Sequence, residues 1–299
     1  MITFIMTLLG FVSIYQNQKP DINFVVIGDT QWGYSVLRKS IKKINAQKYT
    51  EFLAHVGDQE TCGGDKMLRH FKRRMSGLRV PYFLAIGNHE LVRCGWKYHL
   101  YHFNHKKWKN FWAYHLNPRP KSPISTFYYR DFIRRGTTFR FIFIDTSFPN
   151  ITKTQALWFK SVITNTPKNT AVFIFTHRPF PVPPKIARKR IYYANGAHWH
   201  TYHRMNPAAY YRWGKVKSYG GIMWSALMAN KSKVLAIFHG HHHAYRKYTI
   251  GGVLGYCSGG GGGYLYRNKW YKRTYEVYHY LNVRATRNKL NVSMVRIRK

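Results

Sequence analysis

Acidic residues are scarce in this chain, and their placement is informative. Of 299 residues, 49 are Lys or Arg and only 10 are Asp or Glu, a formal net charge of +39. Four of those ten acids, Asp29, Asp58, Glu60 and Glu90, fall in three short glycine-containing motifs, GDTQ, GDQE and GNHE. Two further polar clusters follow downstream, a lone His177 in THRPF and Gly240-His241-His242-His243. Taken singly, each cluster is ordinary: a lone Asp after a strand caps a turn or helix, and a His-x-His pair sits on many surfaces. Together they supply carboxylate, amide and imidazole donors, the set that suits Mn, Fe or Zn and not a soft thiolate site. A pair of such cations acting on phosphate needs one shared carboxylate, separate ligands for each ion and an acid for the leaving oxygen.

These clusters sit where a particular kind of fold would gather them. Each follows a run of β-branched and aromatic residues: NFVVIG at 23–28, FLAHVG at 52–57, PYFLAIG at 81–87, TAVFIFTH at 170–177 and KVLAIFHGHHH at 233–243. A further strand is expected at 137–147, TTFRFIFIDTS. Between them lie helical patterns, with Val36 or Leu37, Ile41 and Ile44 spaced for one helix face and Lys and Arg on the other. Basic residues 66–77, TQALWFKSVI and GIMWSALMAN are expected to be helical too. The last 60 residues alternate short strands and turns in an antiparallel manner. This order predicts an α/β domain of two facing mixed sheets flanked by helices, a four-layer αββα sandwich. Ligands gather outside the carboxyl ends of strands in such sheets, which brings all five clusters to one rim. Segments 91–125 and 178–220, rich in aromatic, basic and His residues, break the rhythm and read as loop inserts.

In order and spacing the motifs resemble those of the calcineurin-like metallophosphoesterases: D-x-H/Q, GD, GNH(D/E), a lone His, then GHxH. The resemblance runs over about residues 23–265, with GNHE and GHxHAY leaning toward the purple-acid-phosphatase-like branch. It implies a phosphoric ester hydrolase with two divalent or mixed-valence metal ions and a hydroxide between them as nucleophile. Asp29, Gln31 and His243 would hold metal one, and Asp58 would bridge. Asn88, His177 and His241 would hold metal two, and His89 would be the general acid. Three departures stand out. Gln31 takes the place of the commoner His and is a weaker donor. Thr61 stands where purple acid phosphatases carry a metal-binding Tyr, so no purple colour is expected. The Asp that other branches place there to orient the acid His is missing too, which leaves Glu60 or Glu90 as outer supports, or His89 without a carboxylate partner.

Composition adds bounds. Hydrophobic residues at 45% and aromatics at 17% suffice for one large packed core. Residues 19–299 are read as a single domain. The apolar start, MITFIMTLLGFVSIY, reads as an export signal or anchor within 1–18, against an N-terminal element packed on the core. On that reading the protein is secreted, periplasmic or membrane-anchored, with the cytoplasm as the alternative. Cys62 and Cys94 each follow a metal motif and would be bridged in an exported chain, or stay as two thiols. The partner expected is a phosphorylated small molecule. The charge, dispersed over the whole chain, leaves open a nucleic acid or other polyanion, as substrate or bound to an inert site. No protein partner is evident, and no P-loop is present. His198, His200 and His203 are expected to face water.

Overall fold

The computed structural model describes residues 21–91, 125–148, 150–182, 219–265 and 276–299. The segment 1–18, nearly all of 91–125, most of 178–220, and with them Cys94, His198, His200 and His203 lie outside the described residues.

Among the described residues, eleven strands build two sheets. The first contains β1 (Ile22–Ile27), β2 (Phe52–Val56) and β3 (Tyr82–Ala85), extended by β10 (His279–Ala285) and β11 (Leu290–Arg296), in the order β11-β10-β1-β2-β3. The second contains β4 (Tyr128–Arg134), β5 (Thr137–Phe143), β6 (Thr170–Phe175), β7 (Val234–His239), β8 (Tyr245–Ile250) and β9 (Val253–Ser258), in the order β4-β5-β6-β7-β9-β8. β1, β2 and β3 are mutually parallel, as are β5, β6 and β7, while β10 runs antiparallel to β1 and β4 to β5. The α-helices among the described residues are α1 (Tyr34–Asn45), α2 (Asp65–Met75), α3 (Lys153–Thr164) and α4 (Gly220–Ala229).

Period-two alternation sorts the apolar residues into layers. Phe139, Phe141 and Phe143 of β5 point to the inter-sheet core, with Phe173 and Phe175 of β6 and Phe238 of β7. Ile142, Val172, Ile174 and Ile237 point the other way, onto Phe159 and Ile163 of α3 and Met223 and Leu227 of α4. Phe24 of β1 is the hub between the sheets. Its ring stacks on Phe52 at 5.2 Å and meets Phe141 and Phe173 edge-on at 5.2 and 5.1 Å. Offset and edge contacts of this kind add about 0.5–1.5 kcal/mol each beyond the area they bury. On the outer face of the first sheet, Val36, Leu37, Ile41 and Ile44 of α1 and Leu68, Phe71 and Met75 of α2 are buried. The molecule is therefore the αββα sandwich expected.

Register matters most for function. Ile27 pairs with His55 and Val56 with Ala85, so the first three strands end abreast. Phe175 pairs with Phe238, which does the same for β6 and β7. The loops leaving these five strands emerge along one rim.

Candidate metal centre

Each cluster of polar residues occupies one of those loops. Asp29 follows β1, Asp58 follows β2, and Asn88, His89 and Glu90 follow β3. His177 follows β6, and His241 to His243 follow β7. The backbone turns sharply there: Asp29, Gln31, Asp58 and His241 have φ of 57°, 33°, 55° and 65°. L-residues avoid this left-handed region, and such outliers persist where the surroundings over-determine them. Here the fixing groups are visible. The Asp29 N–H donates to the Gly57 carbonyl and the Gly240 N–H to that of His177. Glycines permit the close approach: a Cβ on Gly87 would lie 2.1 Å from Asp58 Oδ1, and one on Gly240 2.4 Å from Asp29 Oδ2.

Two groups of donors converge. Ligand atoms of Asp58, His177 and His241 lie within 4.8 Å of one another, and so do those of Asp29, Asp58 and His243. Asp58 belongs to both. In the first group the His177 Nδ1 is 2.9 Å from the Val56 carbonyl, so that nitrogen carries a proton and Nε2 presents its lone pair. Nε2 then lies 3.0 Å from Asn88 Oδ1, 3.3 Å from Asp58 Oδ1 and 3.2 Å from His241 Nδ1. Two oxygens without protons and an imidazole lone pair face a common point, which calls for a positive charge there. A second proton on His177 can supply it: burial opposes that charge, but Asp58 outweighs it and raises the ring to about 9. A metal cation supplies it better, since it satisfies all the donors at once. In the second group His243 Nδ1 bonds the Tyr264 carbonyl at 2.5 Å and turns Nε2 to Asp29 Oδ1 at 3.3 Å. Such fixing of a ligand ring through its other nitrogen is the usual support of a metal-binding histidine. The donor set fits cations of the Mn, Fe or Zn type.

Carboxylate electrostatics agree. Burial works against ionisation of Asp58, yet the rings of His177 and His89 hold its carboxyl well below the usual range. At Asp29 burial prevails over His243 and the carboxyl is raised. A dication would favour the ionised form of both.

The remaining predicted residues take different positions. Gln31 is buried in the site, and its Nε2 donates to Asp58 Oδ2 at 3.3 Å. His89 sits beside Asp58, with Nε2 3.8 Å from Oδ2, and its own N–H donates to Asp58 Oδ1 at 2.9 Å. Its Nδ1 lies 2.7 Å from the Thr61 carbonyl. A backbone oxygen, that of Thr61, therefore orients this ring. Glu90 works on backbone: its carboxylate accepts from Gly87, Asp58 and Gln59 N–H at 2.6, 2.9 and 2.9 Å. Burial and the Asp58 charge push that carboxyl up to about 8 against these donors. Glu60 faces away to pair with Arg74, and burial raises it to about 7.

Arg178 was not singled out by the motifs. Its Nη1 lies 2.7 Å from His241 Nε2, and its N–H is held by Thr146 Oγ1 at 2.8 Å. The residue follows His177 directly in THRPF, so its neighbour was the available clue. Cys62 is disulfide-bonded, whereas Cys257 is free and buried. His239, packed on Tyr248, and His242 are held neutral, lowered by burial to about 4 and about 3.

A family model described as calcineurin-like phosphoesterase matches residues 22–245, three quarters of the chain. The chain belongs to that family. No curated protein sequence matches it. Among solved structures it is similar to purple acid phosphatase PPD1 from yellow lupin seeds, with a TM-score of 0.59 and 15% identity over 93% of this chain and 52% of the lupin chain. It thus spans about half the length of that protein. It is also similar to GAP50 of Plasmodium, described as the anchor in the inner membrane complex, with a TM-score of 0.52 and 14% identity over 94% and 90% of the two chains. For PhoD the TM-score is 0.52 and the identity 13%, over 93% and 68%. At these identities the likenesses establish the fold.

Proposed function

We propose that the chain hydrolyses phosphate esters of small molecules at a centre of two cations bridged by Asp58. The observation that carries this reading is the sharing of Asp58 between the two donor groups. Asp29, Gln31 and His243 would hold one cation and Asn88, His177 and His241 the other. Cations held there would neutralise phosphate charge and would make water acidic enough to act as a nucleophile near neutral pH. The chain's own groups do the rest. His89, oriented by the Thr61 carbonyl, stands at the edge of the bridging carboxylate and gives its proton to the departing oxygen. Arg178 brings a guanidinium to the His241 side, where it binds equatorial phosphate oxygens as charge develops. Asp58 is kept in register by the backbone grip of Glu90.

A disulfide at Cys62 supports placing the mature protein in an oxidising compartment outside the cytoplasm. The test of function is a panel of monoesters, diesters, nucleotides and nucleic acids, assayed on chelated protein with Mn, Fe, Zn or Mg restored singly. Metal-restored turnover of small esters is expected. Absence of turnover on every ester with every metal would overturn the reading.

A further inference from the structure

Two aromatic rings on the loops that carry Gln31 and fix His243 have no role in the chemistry above. Trp32 follows Gln31 directly, and Tyr264 supplies the carbonyl that fixes His243. Both are exposed, at 54% and 72%, yet they touch each other edge-to-face, with ring centroids 5.5 Å apart and planes at 65°. Their loops are locked together. The Gly263 N–H donates to the Asp29 carbonyl at 2.7 Å, and a Cβ on Gly33 would lie 2.0 Å from Gly262 Cα. The rings are thus anchored through the residues that hold Asp29 and His243 in place. Nearby Tyr34 has one face covered by the Arg74 guanidinium, 3.3 Å from its centroid, so it offers less. An exposed aromatic pair on rigid supports beside a polar centre has the make-up of a ligand subsite: apolar area with convergent polar groups alongside.

We propose that Trp32 and Tyr264 form the leaving-group subsite, which takes a planar aromatic ring carried by the phosphate ester. The assignment deepens the phosphoesterase reading above and rests on it for the position of the phosphate. An indole and a phenol offer π-faces and no charge, so they select flat rings by stacking, whatever the ring's hydrogen-bonding pattern. Removing one stacking partner of a base commonly weakens binding about tenfold or more.

The test measures binding by calorimetry to the metal-loaded full chain, using three non-hydrolysable phosphonates that carry a nucleoside, a naphthyl group or a methyl group. At least one ring-bearing phosphonate is expected to bind about tenfold tighter than methylphosphonate. That ratio should collapse toward one in Trp32→Ala and in Tyr264→Ala, and survive in Trp32→Phe. Preference for the nucleoside ligand assigns the subsite to nucleotides, and preference for the naphthyl ligand alone to aryl esters. Circular dichroism confirms that each variant is folded. Equal affinity for all three, or a ring preference that persists in both alanine variants, would overturn the assignment. Ring preference without any hydrolysis of small esters would uphold the subsite while removing the proposed activity, so the two failures are distinguishable.

Discussion

Above about pH 8, where the buried carboxyl is ionised, replacing Glu90 by Gln removes one oxygen and one charge from a side chain that grips the backbone of two loops. Oε2 accepts from Gly87 and Asp58 N–H, and Oε1 from Gln59 at 2.9 Å and Glu60 at 3.4 Å. The amide keeps the better-bonded side by leaving its oxygen toward Gly87 and Asp58. Its NH₂ then faces the N–H groups of Gln59 and Glu60, donor against donor. One good hydrogen bond is lost with a buried N–H left unsatisfied, at about 1–3 kcal/mol. The two that remain fall from charge-assisted to neutral strength, about 1 kcal/mol each. The gross loss is about 3–5 kcal/mol, offset in part because the amide escapes the burial cost that raises the carboxyl. Urea denaturation of the metal-free protein reads this directly. A second titration with metal present reads the consequence at the centre, because ligand-linked stabilisation grows with affinity and a backbone freed at Gln59 holds the neighbouring Asp58 less firmly. The metal-induced shift of the midpoint should therefore be smaller in the variant. An unchanged or raised midpoint above about pH 8, where the carboxyl is ionised, would refute the reasoning: it would mean that Glu90 does not grip the loops as a carboxylate.

Four further outcomes are expected. His89→Ala should slow hydrolysis of esters with poor leaving groups by roughly 10²–10⁴-fold, and of activated aryl esters less, as steady-state rates on both kinds will check. Gln31→His should keep activity and tighten metal binding, measured by chelator competition, because imidazole is the stronger donor to borderline cations. His279 is buried, with Nδ1 2.7 Å from the Val277 carbonyl, and burial lowers it to about 4. Its neutral form is favoured in the folded chain, so stability falls as pH drops from its ordinary value of 6.5 toward 4, by about 3 kcal/mol; the difference in denaturation midpoint between wild type and His279→Gln over that range should show this slope. The +39 charge should leave small-ester turnover nearly insensitive to DNA at physiological salt, where screening acts over about 8 Å, and competitive inhibition there would show a polymer substrate.

The parts that sequence made legible share a physical reason. Strands buried on both sides, such as NFVVIG and TAVFIF, are apolar after their first residue, and the motifs at their ends use residues with few other uses in so basic a chain. The edge strand β4 escaped notice because only Tyr128 is fully buried and its exposed residues, Tyr129, Asp131 and Ile133, mix apolar with acidic side chains. Its turn into β5 uses Arg135 and Gly136, both at positive φ, and Arg does not advertise that conformation. The pairing of β10 beside β1 joins Ile22 to Ala285 across the whole chain, which no local pattern encodes. Within the site, donor types and their order were readable. The Thr61 carbonyl at His89 and the guanidinium at His241 were not, because a backbone oxygen has no sequence signature and Arg178 is one of many basic residues.

The most direct measurement is metal stoichiometry. Wild-type protein, chelated and then titrated with Mn²⁺ under calorimetry and checked by elemental analysis, should take up two ions per chain. Asp58→Asn should lose affinity at both sites together and lose turnover with them, because one carboxylate serves both groups of donors. A single ion in the wild type, or an Asp58→Asn variant that keeps two ions and near-normal turnover, would contradict the shared-carboxylate centre.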